Sequence, residues 1–166
     1  MKKIIFLDID GVLNSSLFFK KRYKEEQNDI YRYLFSSIDD EAVKKLQEII
    51  EKTNAEIVVS SMWKLNHYDN LKKILKEKGL KASIIDKTPS CKTFRGIEIY
   101  EWIRNNIDYL EIDCASNFKN YVILDDDDDM LLRQKNNFVQ TTHEFGLTEE
   151  EVKKVVEILK DIHNEY

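Results

Sequence analysis

Residues 2–14 read KKIIFLDIDGVLN, a short apolar run that stops abruptly at two aspartates and a glycine. Such a run is too continuous for a strand with one wet face, and it reads as a buried parallel strand emptying into a loop. While the chain stays extended, residues two apart point the same way, so Asp8 and Asp10 can face one reaction centre. Gly11 can supply a turn that a Cβ would resist. By itself D-x-D-G also occurs in calcium loops and plain turns. A calcium loop of the EF-hand type follows a helix, however, so the apolar strand before Asp8 favours an active site.

The same form recurs along the chain. EIVVSS at 56–61 and YVILDD at 121–126 are apolar runs that end in polar residues, and ASIID at 82–86 and NFVQTT at 137–142 are weaker versions. Helical patterns lie between them. Ala42, Leu46, Ile49 and Ile50 share a face behind Asp39 as N-cap. A second helix is predicted over 68–78, closing at Gly79, and a third near Gly96 with Ile97, Ile99, Tyr100 and Ile103 inward. Thr148 and Glu151 form a capping box before Val152, Val155, Val156 and Leu159. Alternating strands and helices imply right-handed crossovers, hence an α/β fold of three layers with a central parallel sheet. Ligands of such sheets bind beyond the carboxyl ends of the strands, where Asp8 with Asp10, Ser60 with Ser61, and Asp125 with Asp126 would converge.

Residues 15–37, SSLFFKKRYKEEQNDIYRYLFSS, are too long for an ordinary strand-to-helix loop and form a small insertion after the first strand. Its Phe18, Phe19, Tyr23, Tyr31, Tyr33 and Phe35 lie beside Lys20, Lys21, Arg22 and Lys24. Two compatible readings follow: a lid offering stacking faces and positive charge, or an amphipathic insertion packing its aromatics on the body.

With 166 residues and 42% hydrophobic content, the chain is sized for one compact domain over 1–166. One proline and four glycines argue for long regular elements rather than a linker-rich chain. Cys91 and Cys114 belong to no C-x-x-C or Cys/His cluster, which excludes a disulfide framework and a zinc site of that kind. No apolar stretch reaches the length of a membrane helix, so a soluble, cytoplasmic protein with no membrane partner is expected. A formal net charge of −5 speaks against stable nucleic-acid binding by bulk electrostatics, yet leaves room for a local basic groove. His67, His143 and His163 have neither triad nor metal spacing and receive no role.

FLDIDGVLN (6–14) closely resembles the first motif of the haloacid dehalogenase-like (HAD) phosphohydrolases. IVVSSMWK (57–64) resembles their second motif and VILDDDDDM (122–130) their fourth, the acidic metal motif. SSMWK, RGIEIYEWI, LDDDDDM and NFVQTTHEFGLTEEEV together resemble the HAD domain grouped with multidomain RNA-repair proteins of the Swiss-army-knife type. The resemblance implies a Rossmann-like (HAD-like) fold and a Mg2+-dependent phosphatase. Asp8 would attack phosphorus to give an aspartyl-phosphate, and Asp10 would protonate the leaving oxygen and then activate water. Mg2+ would be held by the Asp8 carboxylate, the Asp10 backbone carbonyl and Asp126, with oxygen ligands throughout.

Ser60 would hydrogen-bond the transferring phosphoryl group, with Ser61 a close competitor; the plainer reading of either is a helix cap. The third motif needs a base, and Lys87, Lys92 and Arg95 are available. Arg95, directly before GIEIYEWI, fits the subgroup best. Asp125 would support that base and Asp129 would stand behind the metal ligands, with Asp127 and Asp128 as bystanders. Trp63 and Lys64 are candidate substrate contacts at the entrance, although a tryptophan at a helix start also simply packs. A nucleotide or nucleic-acid terminal phosphate is the expected substrate; a small phosphorylated metabolite, or a catalytically silent binding protein of the same fold, are the alternatives.

Overall fold

The computed structural model describes residues 2–21, 29–91 and 93–160. All five predicted strands form: β1 (Ile4–Leu7), β2 (Glu56–Val59), β3 (Ile84–Lys87), β4 (Tyr121–Asp125) and β5 (Phe138–Gln140). They make one parallel sheet in the order β3-β2-β1-β4-β5. The chain therefore builds outward from β1 on one side, then returns to build outward on the other, and the order reverses between β1 and β4. A crevice at that reversal is where a parallel sheet of this kind offers a site.

The helices are α1 (Ser16–Lys21), α2 (Ile30–Ser36), α3 (Asp40–Thr53), α4 (Tyr68–Glu77), α5 (Arg95–Asn105), α6 (Ile107–Leu110) and α7 (Glu149–Lys160). Successive β1 side chains alternate between faces, so Ile5 and Leu7 join a core beneath α3, α4 and α7, while Ile4 and Phe6 join one beneath α5. All four are fully buried, which explains a strand that reads as unbroken apolar sequence. Asp39 caps α3 as predicted, accepting from the Glu41 amide at 2.9 Å. The box before α7 also forms: the Thr148 amide donates to Glu151 at 3.1 Å and the Thr148 hydroxyl accepts from the Glu150 amide at 3.3 Å.

One buried face differs from its sequence pattern. On α5, Ile99 and Ile103 turn inward as expected, but Trp102 is buried while Ile97 and Tyr100 are only half-buried. The indole sets the face: its ring meets Phe6 edge-on at 5.4 Å and its Nε1 donates to Asp86 at 2.7 Å. A large aromatic with one polar handle fits where an apolar sheet face ends in a carboxylate.

The insertion supplies α1 and α2, and Arg22, Tyr23 and Lys24 fall outside the described residues. The α2 half packs on the body rather than hanging over the strand ends. Leu34 is buried, and Tyr31 and Phe35 rest against the core beside α4. The Tyr31 hydroxyl donates to Glu77 at 2.7 Å, and the Lys78 amine lies 4.1 Å from the Phe35 ring centre. No helix among the described residues is long and apolar enough to cross a membrane.

Candidate active site

Strand register brings the reactive residues level. Leu7 pairs with Val59 on one side and Leu124 on the other, so Asp8 follows β1 beside Ser60 and Asp125. Two backbone bonds fix this level: the Asp8 amide donates to Leu124 at 2.9 Å and the Ser60 amide to Leu7 at 2.9 Å. The loop after β1 is then clamped to the tip of β4, because the Thr141 amide donates to the Asp125 carbonyl at 3.0 Å while its hydroxyl donates to the Gly11 carbonyl at 2.7 Å.

Carboxylate oxygens of Asp8, Asp125 and Asp126 lie within 4.8 Å of one another. Gly11 makes this approach possible. It holds φ +73°, and a Cβ built there would stand 2.2 Å from Asp126 Oδ2. Arg95 enters from α5, with Nη1 3.4 Å from Asp8 and Nε 3.4 Å from Asp125. Both approaches are ion pairs rather than well-made hydrogen bonds. Asp129 seats this arginine from behind, since its carboxylate accepts from the Arg95 amide at 2.9 Å. Gly96 lets α5 close on the following loop: a Cβ there would come within 2.5 Å of the Leu131 nitrogen and of Gln134 Oε1.

Burial sets the electrostatics. The Asp8 carboxyl is pushed up to about 6 by loss of solvent, against the opposing pull of Arg95 and of hydrogen bonds from Ser61 and the Ile9 amide. Asp125 is pushed up to about 7, first by burial and then by the Asp8 charge, with Arg95 and the Asp127 amide opposing. Asp125 Oδ2 is buried with no hydrogen-bond partner. Three clustered carboxylates against one guanidinium leave excess negative charge, and an all-oxygen donor set of this kind suits a hard dication such as Mg2+.

Asp10 is not one of these three clustered carboxylates; its side chain is exposed and gripped at both oxygens. The Asn14 side-chain amide donates to Oδ1 at 2.8 Å and the Trp63 indole to Oδ2 at 3.0 Å. Trp63 is thus tied to Asp10. Lys64 is buried away from an entrance. Its side chain is 2% exposed and its amine bonds Glu98 at 2.5 Å, the Thr88 hydroxyl at 2.7 Å and the Pro89 carbonyl at 3.1 Å, so it is not available to a substrate. Burial lowers its pKa while the Glu98 carboxylate raises it. Glu98 also accepts from the Cys91 amide at 2.9 Å, and the buried pair ties the turn after β2 to α5.

The two serines divide unequally. Ser61 hydrogen-bonds Asp8 and also caps the 3-10 turn Met62–Lys64 through the Trp63 amide at 3.4 Å, whereas the Ser60 hydroxyl is buried with no partner. Of the three basic candidates, Arg95 reaches Asp8. Lys87 instead donates to the Lys64 carbonyl at 3.1 Å, and Lys92 lies outside the described residues. Asp127 and Asp128 are exposed. Sequence reasoning gave no role to Asn14, Glu98, Thr141 or His143, the last with Nδ1 3.4 Å from Asp126. Only Asn14 carried a local signal, as an amide side chain three residues after the loop glycine, and its oxygen accepts from the Gly11 amide at 3.0 Å.

A family model described as the HAD domain in Swiss Army Knife RNA repair proteins matches residues 4–152. No curated protein and no solved structure matches the chain.

Proposed function

The chain belongs to the HAD domain family of Swiss Army Knife RNA repair proteins, and from that membership we propose that it is a Mg2+-dependent phosphomonoester hydrolase working through an aspartyl-phosphate on Asp8. One observation carries the reading: Asp8, at the end of the central strand, clusters with Asp125 and Asp126 at the tip of β4, and Arg95 reaches both Asp8 and Asp125. A phosphate ester repels anionic nucleophiles, so an attacking carboxylate needs cationic surroundings in line with it. Asp8, Asp126 and the Asp10 carbonyl would hold Mg2+, which when bound supplies charge neutralisation to the phosphoryl oxygens.

In the first step an Asp8 oxygen bonds to phosphorus while the bond to the leaving oxygen breaks, and protonated Asp10 gives that oxygen its proton. In the second, ionised Asp10 takes a proton from water as the water oxygen bonds to phosphorus, releasing inorganic phosphate and free Asp8. Arg95 offsets charge on the phosphorylated aspartate, and Ser61 is the hydroxyl at hand for a phosphoryl oxygen. Trp63 and Asn14 hold the Asp10 carboxylate in place. A nucleotide or nucleic-acid end is the substrate class we favour, because Met62 and Leu65, 63% and 50% exposed, line the cavity that contains Arg95 with apolar surface on which a base can rest.

Purified protein with Mg2+ is expected to release phosphate from an aryl phosphate and from a 3′-phosphorylated oligonucleotide. Undiminished release in EDTA would overturn the metal-assisted mechanism. Gly11→Ala is expected to lose about 10²-fold in kcat/KM, the scale of a misplaced site group, since the new methyl occupies the position of Asp126. Wild-type turnover in that variant would show that Asp126 does not need this seat.

Stability should follow the two raised carboxyls. Their folded values of about 6 and about 7 exceed the ordinary 3.8, so without divalent cation the native state binds more protons than the unfolded chain. Stability in EDTA therefore rises as pH falls from 8 toward 5, by up to about 1.4 kcal/mol per pH unit for each group. Mg2+ favours the ionised forms, so its shift in Tm is expected to be larger at pH 8 than at pH 5.5. Thermal unfolding across that range decides it, and the reverse trend would contradict the burial argument.

A further inference from the structure

We infer that a lysine-lined groove along α4 and the outer edge of β3 takes the phosphodiester backbone of a single-stranded nucleic acid whose terminal phosphate lies at Asp8, an assignment that rests on the phosphatase reading. The groove encloses about 810 Å³ and is lined by Lys72, Lys73, Lys76 and Lys81 over an apolar floor that includes Leu80 and Ile84. Asp69 is the one acid in its lining. Four lysines in one concavity run against a chain whose net charge is −5.

An ordinary solvated helix face would look different. On α3 and α7 three lysines pair one turn away with glutamates, Lys44–Glu41, Lys52–Glu48 and Lys154–Glu150, and Lys45 and Lys153, without an ion pair among the described residues, are set singly rather than gathered in a concavity. On α4, Lys73 reaches Glu77 only at 3.9 Å, and Lys72 lies 5.4 Å from the Tyr68 ring centre without a carboxylate. Among the described residues Lys76 and Lys81 form no ion pair. Positive charge held in a concavity and left without counter-charge is what a polyanion recognises.

The groove also leads to the site. It shares Asp69 with a smaller cavity at Tyr68 and Lys87, which in turn shares Leu65 with the cavity that contains Arg95. Because β3 is a sheet edge, no neighbouring strand blocks this path. With ten residues, α4 gives the path about 15 Å at ~1.5 Å per residue, the reach of a few nucleotides of an extended strand. Net charge alone predicts no stable binding, and a local groove of this size gives binding that is weak and sharply salt-dependent.

The test is fluorescence anisotropy with a hydroxyl-ended single-stranded oligonucleotide over a salt series, comparing wild type with the triple variant Lys72→Glu, Lys76→Glu, Lys81→Glu. The variant should bind at least tenfold more weakly at low salt, and its log–log salt slope should be shallower by about 2, at ~0.7 for each phosphate no longer neutralised. Hydrolysis of an aryl phosphate should be unchanged, while kcat/KM on a 3′-phosphorylated oligonucleotide falls tenfold or more. Lys81→Glu alone should show the same trend at a third of the slope change, so that a misfolded triple variant does not leave the question open. Equal affinity and slope in the variants overturn the groove, as does equal competition by polyglutamate or duplex. Lysine-dependent binding without any phosphate release would instead overturn the phosphatase reading and leave the groove standing.

Discussion

Asp8→Asn protein is expected to release phosphate more slowly than wild type by on the order of 10⁴-fold or more, the scale on which enzymes lose covalent catalysis when the nucleophile is removed. The substitution is nearly isosteric, and the site should tolerate it. Asp8 is 5% exposed and its carboxyl is already pushed up to about 6 by burial, so a neutral amide relieves unfavourable charge beside Asp125. The fold should accordingly be as stable as wild type, or more so, in EDTA. That combination of lost turnover with retained Tm separates a chemical role from a structural one. A variant retaining a tenth of wild-type turnover would exclude attack by Asp8.

Lys64→Met is expected to behave oppositely, losing about 3–5 kcal/mol of stability, the usual result of removing one partner from a buried ion pair. The lysine stem is nearly matched in size by methionine, so the loss comes from Glu98, which would stay 8% exposed with no cation, and from Thr88 and Pro89, which lose a donor. Replacing both partners, as Lys64→Met with Glu98→Leu, should recover much of the loss, because an apolar pair of similar volume avoids the uncompensated charge. Chemical denaturation of the single and double variants measures the difference. A single variant as stable as wild type would mean that the pair contributes nothing to joining the turn after β2 to α5.

Most of the fold was legible because each strand announced itself twice, by an apolar run and by the polar residues that end it. IIFLD, EIVVSS and YVILDD all became strands of the central three, and their tips meet. Side-chain direction at the ends was not legible. Whether Ser60 or Ser61 turns to Asp8 depends on how the chain leaves β2, and only the capped turn at Met62–Lys64 decides it. Lys64 looked like a surface base because nothing nearby in sequence could pair it; Glu98 lies 34 residues away. Trp63 was hidden in the same way, since its partner Asp10 belongs to another strand end. The insertion was readable as an interruption, but its aromatics could not be assigned to the body until α4 offered Glu77 and Lys78 beside them.

The hydroxyl of Thr141 that holds the Gly11 carbonyl joins residues 130 positions apart. Pairings of such sequence separation form late, because the chain must close a long loop before they return any stabilisation. A nascent chain that has paired only β1, β2 and β3 therefore carries Asp8 without Arg95, Asp125 or Asp126, and holds an inert carboxylate. On the proposed reading, the site is complete only once β4 and β5 have paired, which would make activity a report on complete folding rather than on the presence of Asp8.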